Sequence, residues 1–306
     1  MTERTPTPAA ADAVVRLCRH PGFPRAMQAA AQCAVDLYRA DRLLNALMND
    51  RARALFTHVA LYLHYADAEG GKPGLTVGAM KELCTQIGLC SRGRCEAMLA
   101  VMRAAGMFAS VANPDRRRRP LVPTERLLAL HRERWGAHFR AMSAAIPEAA
   151  AYQAALDDPR FIRSFVRELG RRYIAGMRVL DSAPELGEIA ERNAGMMILY
   201  SLALAGSNDD AFPPHRPVPL SINALATRFS VSRKHVLMLL RDAEAQEMLM
   251  RGGPANNEIT FLPRGRQALE MMFASLFLYM AECAEVALRA TGEDRCAMAA
   301  LPGTPL

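Results

Sequence analysis

The sequence predicts a mainly α-helical protein with small β-hairpins, built from two similar units on a shared helical body. Three observations favour this fold. Residues 220–249 have the apolar periodicity of two helices joined by a short turn. Residues 75–108 repeat that pattern, and two short strand-like segments follow each copy. We therefore expect two units of the same kind rather than one large core.

Composition narrows the class of protein. The chain has 306 residues, of which 51% are hydrophobic, enough for two folded domains and too many for a disordered chain. A net charge of +7 and a pI of about 9.2 favour a polyanionic partner, either nucleic acid or an anionic membrane surface. Nearly all the basic residues are arginines, which GC-rich genomes also favour. The positions of the arginines are therefore more informative than their number.

Cysteine usage and hydropathy predict a cytoplasmic protein. Seven cysteines without a regular short spacing indicate reduced thiols. The N-terminus shows neither a signal peptide nor a basic amphipathic leader. The longest apolar runs, residues 194–206 and 271–281, are too short to span a bilayer and are expected to be buried helices. We expect no membrane partner.

The first unit begins with helices. A flexible N-terminal segment is expected at residues 1–20. One helix is predicted after the Pro-Gly-Phe-Pro turn at 21–24 and another at 51–67, where the Gly-rich residues 70–74 end it. The first motif then follows at 75–108, with Gly88 in its turn and Ser91 at the start of its second helix.

The second helices of the two motifs have the same apolar spacing. This spacing of i, i+3, i+4 and i+7 buries one face of each helix. The residues are Cys95, Met98, Leu99 and Met102 in the first motif, and Val236, Leu239, Leu240 and Ala243 in the second. Ser221 is a predicted N-cap of the second motif's first helix, and its second helix begins at Ser232. Arg233, Lys234 and His235 are left at the exposed N-terminal end.

Each motif is followed by a predicted hairpin. The strands are residues 107–112 and 120–123 in the first copy, joined by a loop with four consecutive arginines, and 248–252 and 258–262 in the second. Each hairpin ends in a proline, Pro123 or Pro263, and a helix follows. A hairpin in this position is the wing of a winged helix. The predicted fold is thus two winged helix-turn-helix repeats on a shared helical body.

The correspondence between the halves indicates a tandem duplication. Pro, Phe and Arg at 21, 23 and 25 recur at 159, 161 and 163, an offset of 138 that Tyr62 and Tyr200 share. The offset is 141 between Ser91 and Ser232, and 140 between Pro123 and Pro263. An offset that changes so little is typical of a duplicated unit. The predicted domains are a flexible segment at 1–20, repeats at 21–143 and 159–288, a linker at 144–158, and a flexible tail at 289–306.

The order of elements resembles that of winged-helix transcription regulators of the MarR type. These elements are the flanking helices, the helix-turn-helix, the hairpin and a C-terminal helix that opens with Pro263-Arg264-Gly265-Arg266. Pro123-Thr124-Glu125-Arg126 in the first repeat lacks the glycine. That family forms homodimers, so the resemblance implies a fused pseudo-dimer that works as one chain. It also implies a pocket for a small, often aromatic, effector between the helical body and a DNA-reading unit.

The exposed ends of the second helices and the first wing carry the predicted DNA contacts. Arginine can form two hydrogen bonds with guanine, and arginines in a wing can contact phosphates or a narrow minor groove. The alternative is that these residues are only solvated charges at a helix start or in a loop, without a binding role. The candidate DNA-binding residues are Ser91, Arg92, Arg94, Arg116, Arg117, Arg118, Arg119, Ser232, Arg233, Lys234 and His235.

Other chemistry receives less support from the sequence. Cys84, Cys90 and Cys95 lie close in the chain, but without a fourth ligand or CxxC pairing we expect no metal site and no cofactor. Cys95 occupies a core position, and Cys90, beside arginines, is the candidate redox-sensitive thiol. The histidines form no pattern that suggests catalysis. A methionine stripe at 196–197, 271–272 and 280 is expected to be core.

These observations favour a sequence-specific regulator of transcription that binds double-stranded DNA. Because its two reading ends differ in sequence, we expect an asymmetric site rather than a palindrome. The alternative is a DNA-linked assembly protein, such as a plasmid replication initiator or a chromosome-segregation factor. An enzyme is not expected, since the sequence shows no nucleophile–base pair, phosphate-binding loop or metal-ligand spacing.

Overall fold

The fold is mainly helical, with two small antiparallel sheets. The computed structural model describes residues 8–38, 49–66, 74–111, 120–206 and 211–299. The α-helices are α1 (Pro8–Cys18), α2 (Phe23–Asp36), α3 (Asp50–Ala66), α4 (Val77–Gln86), α5 (Arg92–Ala104), α6 (Glu125–Met142), α7 (Ala149–Ala154), α8 (Pro159–Ile174), α9 (Gly187–Ala190), α10 (Gly195–Ala203), α11 (Ile222–Arg228), α12 (Arg233–Ala245) and α13 (Pro263–Ala299). The strands are β1 (Phe108–Ser110), β2 (Leu121–Pro123), β3 (Val218–Pro219), β4 (Leu249–Gly252) and β5 (Glu258–Phe261).

The helices outside residues 76–123 and 218–261 pack together and are here called the helical body: α1 to α3, α6 to α10 and α13. Helix α8 packs against both α13 and α3, while α2 packs against α6. Phe165 of α8 is fully buried, with its ring 5.5 Å from that of Trp135 and 5.7 Å from that of Phe161. Phe23 of α2 meets Phe277 of α13 edge to face at 6.1 Å. These aromatic contacts join the two halves of the chain into one core.

A glycine allows helices α3 and α8 to approach closely. A Cβ atom at Gly170 would lie 2.3 Å from Cδ2 of Tyr62, well inside van der Waals contact. The Tyr62 ring therefore occupies the space that a larger residue in α8 would need. Since Tyr62 belongs to the first half of the chain and Gly170 to the second, this contact also binds the halves together.

Two sheets complete the fold. Strands β1 and β2 pair antiparallel, with Phe108 opposite Pro123, and an isolated bridge joins Thr76 to Pro120. The second sheet has the order β3-β5-β4, with Leu249 opposite Phe261 and Val218 opposite Ile259. The four hairpin strands lie within two residues of their predicted positions. Strand β3 was not predicted, because two residues are too few to show an alternating pattern.

Both halves contain a helix pair, a hairpin and then a longer helix, in that order. They differ in where the proline at the end of the hairpin lies. Pro123 is the last residue of β2, whereas Pro263 is the first residue of α13. Register places Pro123 in the position of Phe261, so the predicted equivalence of Pro123 and Pro263 is wrong. Both residues simply follow the general preference of proline for strand ends and first helical turns.

The segments predicted as flexible ends and as a linker contain helices. Helix α1 lies within the predicted N-terminal segment, and its Val14 and Leu17 are buried where α1 packs against α13. The predicted linker contains α7 and the 3₁₀ turn Ala155–Asp157, with Tyr152 buried against Phe139. Helix α13 continues through the predicted tail to Ala299. Helices α1 and α7 are rich in alanine, which favours helix, and their apolar contacts with long helices stabilise them further.

Helix α13 is longer than its apolar run suggested. Residues 263–292 are long and apolar enough to cross a membrane by length and composition alone. Their buried side chains include Leu269, Phe273 and Phe277, which contact the protein core. A core helix of a soluble protein meets the same criteria, so this helix is weak evidence for a membrane span.

Candidate nucleic-acid interface

The first head, residues 76–123, presents a helix whose start is fixed by side-chain capping. Thr76 Oγ1 accepts a hydrogen bond from the Ala79 amide at 3.0 Å and caps α4. Gly88 has a φ of +69° in the turn, where the Leu89 amide donates to the Cys84 carbonyl at 2.8 Å. Ser91 Oγ then accepts from the Arg94 amide at 3.4 Å and caps α5. Capping at both helices fixes the path of the chain between them.

The capped end of α5 is basic and open to solvent. Ser91, Arg92 and Arg94 are all exposed, while Cys95 and Leu99 of the same helix are buried. The N-terminus of a helix carries a partial positive charge, so cations there oppose helix formation by a few tenths to about 1 kcal/mol. Helix stability therefore does not explain these arginines, and an anionic partner would.

The second head, residues 218–261, repeats this arrangement. Ser221 Oγ accepts from the Ala224 amide at 3.3 Å, and Ser232 Oγ accepts from the His235 amide at 3.0 Å. The Val231 amide donates to the Ala226 carbonyl at 3.1 Å, as the Leu89 amide does in the first head. The predicted apolar face is wholly buried. Its residues are Val236, Leu239, Leu240 and Ala243.

The predicted contact residues of the second head divide into two groups. Ser232, Arg233 and Lys234 are exposed. His235 is half-buried, and its Nε2 donates to the Asn193 carbonyl at 2.9 Å, which sets the tautomer of the ring. The helix end thus keeps two cations at the surface and uses the histidine to contact the helical body.

An open groove lies beside these cations. It runs between the two helices of the second head and is lined largely by hydrogen-bonding side chains. These are Asn223, Thr227, Ser230, Ser232 and Arg233. Such side chains can contact both phosphate oxygens and base edges.

The arginine in the hairpin of the second head forms an ion pair within that head. Arg251 of β4 forms a two-pronged ion pair with Glu244 of α12, with Nε to Oε1 at 3.0 Å and Nη2 to Oε2 at 2.6 Å. The hydrogen bond from Arg251 holds the pKa of Glu244 below its usual value. Arg251 therefore stabilises the hairpin against α12. The predicted wing residues Arg116, Arg117, Arg118 and Arg119 lie outside the described residues.

One segment of the body contacts both halves. Arg192 pairs with Asp242 of α12, and Gln246 donates to Glu188 at 3.0 Å. On its other side, Asn49 donates to the Glu191 carbonyl at 2.9 Å. No sequence pattern indicated this segment, because its contacts join residues far apart in the chain. We refer to residues 188–194 as the bridging segment.

The cysteines, histidines and methionines that the sequence brought into question for metal binding, catalysis or ligand binding lie in three separate groups. The sulfurs of Cys84, Cys90 and Cys95 all lie within 4.8 Å of one another. His58 and His131 meet edge to face in the body, with ring centroids 4.7 Å apart, and burial lowers the pKa of both rings. In the methionine stripe, Met272 and Met280 are buried, while Met196, Met197 and Met271 are half-buried.

A cavity of about 190 Å³ lies between the first head and the body. It is lined by Ile87 and Leu89 of the turn and by charged and aromatic residues of the body, among them Arg51, Tyr173 and Arg178. It occupies the kind of position in which the resemblance predicts an effector.

Comparison with known proteins adds no further assignment. No protein-family model, no curated protein and no solved structure matches this chain.

Proposed function

We propose that this chain is a sequence-specific DNA-binding regulator of transcription that uses two winged helix-turn-helix heads as an intramolecular pair. The observation that carries the proposal is the repeated serine-capped helix start with exposed cations. Arg92 and Arg94 occupy it in one head, and Arg233 and Lys234 in the other. Such a helix end is the part of a recognition helix that reaches base edges in the major groove.

The hairpins and the charge of the chain support the same function. Each head ends in an antiparallel hairpin beside its second helix, the position of a wing that lies along the DNA backbone. A net charge of +7 favours association with a polyanion. We propose that the two heads contact unlike half-sites, because their exposed helix ends differ in sequence. A small-molecule effector in the cavity beside the first head belongs to the same proposal.

Paired substitutions test the function. We expect Arg92→Ala with Arg94→Ala, and separately Arg233→Ala with Lys234→Ala, to weaken binding to a selected DNA duplex by roughly thirtyfold or more, since each base-reading contact contributes about 1–3 kcal/mol. The measurement is fluorescence anisotropy at fixed salt. Circular dichroism should show unchanged folding, because all four side chains are exposed.

Arg25→Ala with Arg163→Ala is the matched control. Both arginines are exposed on helices of the body, so this pair removes the same charge away from the heads. We expect a small loss that is equal for all DNA sequences. If the control pair weakened binding as much as the head pairs, the basic character of the chain as a whole would explain binding and the proposal would fail.

A further inference from the structure

Three thiols converge at the turn of the first head. Cys84 lies near the end of α4, Cys90 in the turn and Cys95 in the first turn of α5, and their sulfurs all lie within 4.8 Å of one another. Cys84 and Cys95 are fully buried, and Cys90 is half-buried. The spacing along the chain lacks the CxxC pairing of common zinc sites. The tight turn between the helices nevertheless brings the three sulfurs together.

The separation of the sulfurs suits a metal ion. A zinc–sulfur bond is about 2.3 Å, so thiolates on one tetrahedral ion lie about 3.8 Å apart. Sulfurs within 4.8 Å of one another need to close by only about 1 Å to reach that separation. A disulfide would use two of the three sulfurs, and the convergence of the third would then be unexplained.

We propose that Cys84, Cys90 and Cys95 bind one soft, thiophilic metal ion through three sulfur–metal bonds, leaving further coordination to solvent. On binding, each thiol loses its S–H proton to solvent and forms one bond to the ion, with no change of oxidation state. Thiolates select soft ions such as Zn²⁺ and Cu⁺ over Mg²⁺ and Ca²⁺. Metal binding should therefore release protons and strengthen with rising pH.

The position of the site gives it a consequence for the head. One ion would connect the end of α4, the turn and the first turn of α5, and so hold the helix end that carries Arg92 and Arg94. In this consequence alone the inference rests on the proposed function. The second head has Ala226 and Val236 at the positions of Cys84 and Cys95, and its turn is one residue shorter. Metal should thus act on one head.

Titration of the full reduced chain with Cd²⁺ tests the site, since cadmium–thiolate bonds give a strong ultraviolet charge-transfer band. We expect one tight equivalent with a band of three-thiolate intensity. Cys90→Ser, at a half-buried position, should weaken that equivalent by more than roughly a hundredfold, which is the upper end of the loss typical of a group that only orients a ligand. Cys33→Ser, half-buried in α2, is the matched control and should bind as the unsubstituted chain does.

Three outcomes would overturn the inference. The first is a reduced chain that gives no charge-transfer band, and the second is Cys90→Ser protein that binds Cd²⁺ as tightly as the unsubstituted chain. The third is a disulfide among these cysteines that resists metal, found by mass spectrometry of protein purified without reductant. None of these measurements uses DNA. A chain that binds Cd²⁺ but not DNA would refute the proposed function and leave the metal site standing.

Discussion

The two heads differ in the way they join the helical body. In the first head, helix α3 of the body packs against α4 and β2, so contact is made through the first helix and the hairpin. In the second head, the body also contacts α12 itself. His235, near the exposed end of α12, donates to the Asn193 carbonyl, and Asp242, near the other end, pairs with Arg192. Similar local structures can therefore place their exposed cations under different restraint.

The hairpins extend this contrast. Arg251 in the second hairpin is held by Glu244, and its side chain is only 23% exposed. The loop of the first hairpin contains four consecutive arginines. If the heads arose by duplication, one hairpin kept or gained arginines, while the other uses its arginine in an ion pair with its own helix. We therefore expect most of the electrostatic contribution to DNA affinity to come from the first wing.

Removing the wing charges should have the largest effect. Replacing Arg116, Arg117, Arg118 and Arg119 with Ala should weaken binding to all DNA sequences. The slope of log affinity against log salt should become shallower by roughly one for each phosphate that the variant no longer neutralises. Arg251→Ala should leave that slope unchanged and lower the free energy of unfolding by about 1 kcal/mol, since its ion pair is partly exposed. Equal slope changes in both variants would remove the distinction between the wings.

Acid should destabilise the first half of the body. Burial lowers the pKa of His131 and lowers that of His138 to about 4, and Nδ1 of each ring is shielded from solvent. The unfolded chain takes up these protons near pH 6.5, whereas the folded chain does not. Stability is therefore complete above pH 6.5 and falls below it, by about 2 kcal/mol at pH 5 for His138 alone. The Tm should drop by several degrees between pH 7 and pH 5.

Replacing His138 with the residue at the corresponding position of the second half tests whether this histidine causes the acid sensitivity. The residue 138 positions after His138 is Leu276, so His138→Leu should flatten the Tm profile between pH 7 and pH 5, and the exposed His20→Gln should not. The salt-bridged Glu168, with a pKa of about 2, loses its contribution only below about pH 4.5. An unchanged profile in His138→Leu would show that other groups cause the acid sensitivity.

The smallest effects are expected when glycine is exchanged for a side chain, or a side chain for glycine, in the turns of the two heads. The two substitutions should change the free energy of unfolding in opposite directions. Gly88 and Ser230 have φ of +69° and +53°, a region in which a side chain costs about 1 kcal/mol. A Cβ at Gly88 would meet no atom within 4 Å, so Gly88→Ala tests the backbone alone. We expect it to destabilise by about 1 kcal/mol and Ser230→Gly to stabilise slightly, both measured by urea unfolding. Destabilisation by Ser230→Gly would show that the serine side chain stabilises its turn.

Local periodicity predicted much of the fold. The apolar spacing of α5 and α12 identified all eight of their buried face residues, and Ser221 caps its helix as expected. Ser91 and Ser232, predicted as helix starts, are the N-caps of α5 and α12. The hairpins followed from turn residues between short apolar segments. These features depend on residues within a few positions of one another, which is the range over which sequence patterns are informative.

Contacts between distant residues were not predictable in the same way. The bridging segment joins Glu191 to Asn49 and Arg192 to Asp242, and no local pattern marks such pairs. His235 was predicted as a DNA contact from its place at a helix start, and only the fold shows that the Asn193 carbonyl accepts its hydrogen bond. The convergence of three cysteines likewise depends on a turn geometry that spacing alone does not specify.

We propose that two unlike heads in one chain read two unlike half-sites. Selection of binding duplexes from a random pool, followed by footprinting, can show whether they do. We expect a non-palindromic site in which Arg92→Ala with Arg94→Ala loses protection over one half, and Arg233→Ala with Lys234→Ala over the other. A perfect inverted repeat, or equal loss over both halves in either variant, would contradict this proposal.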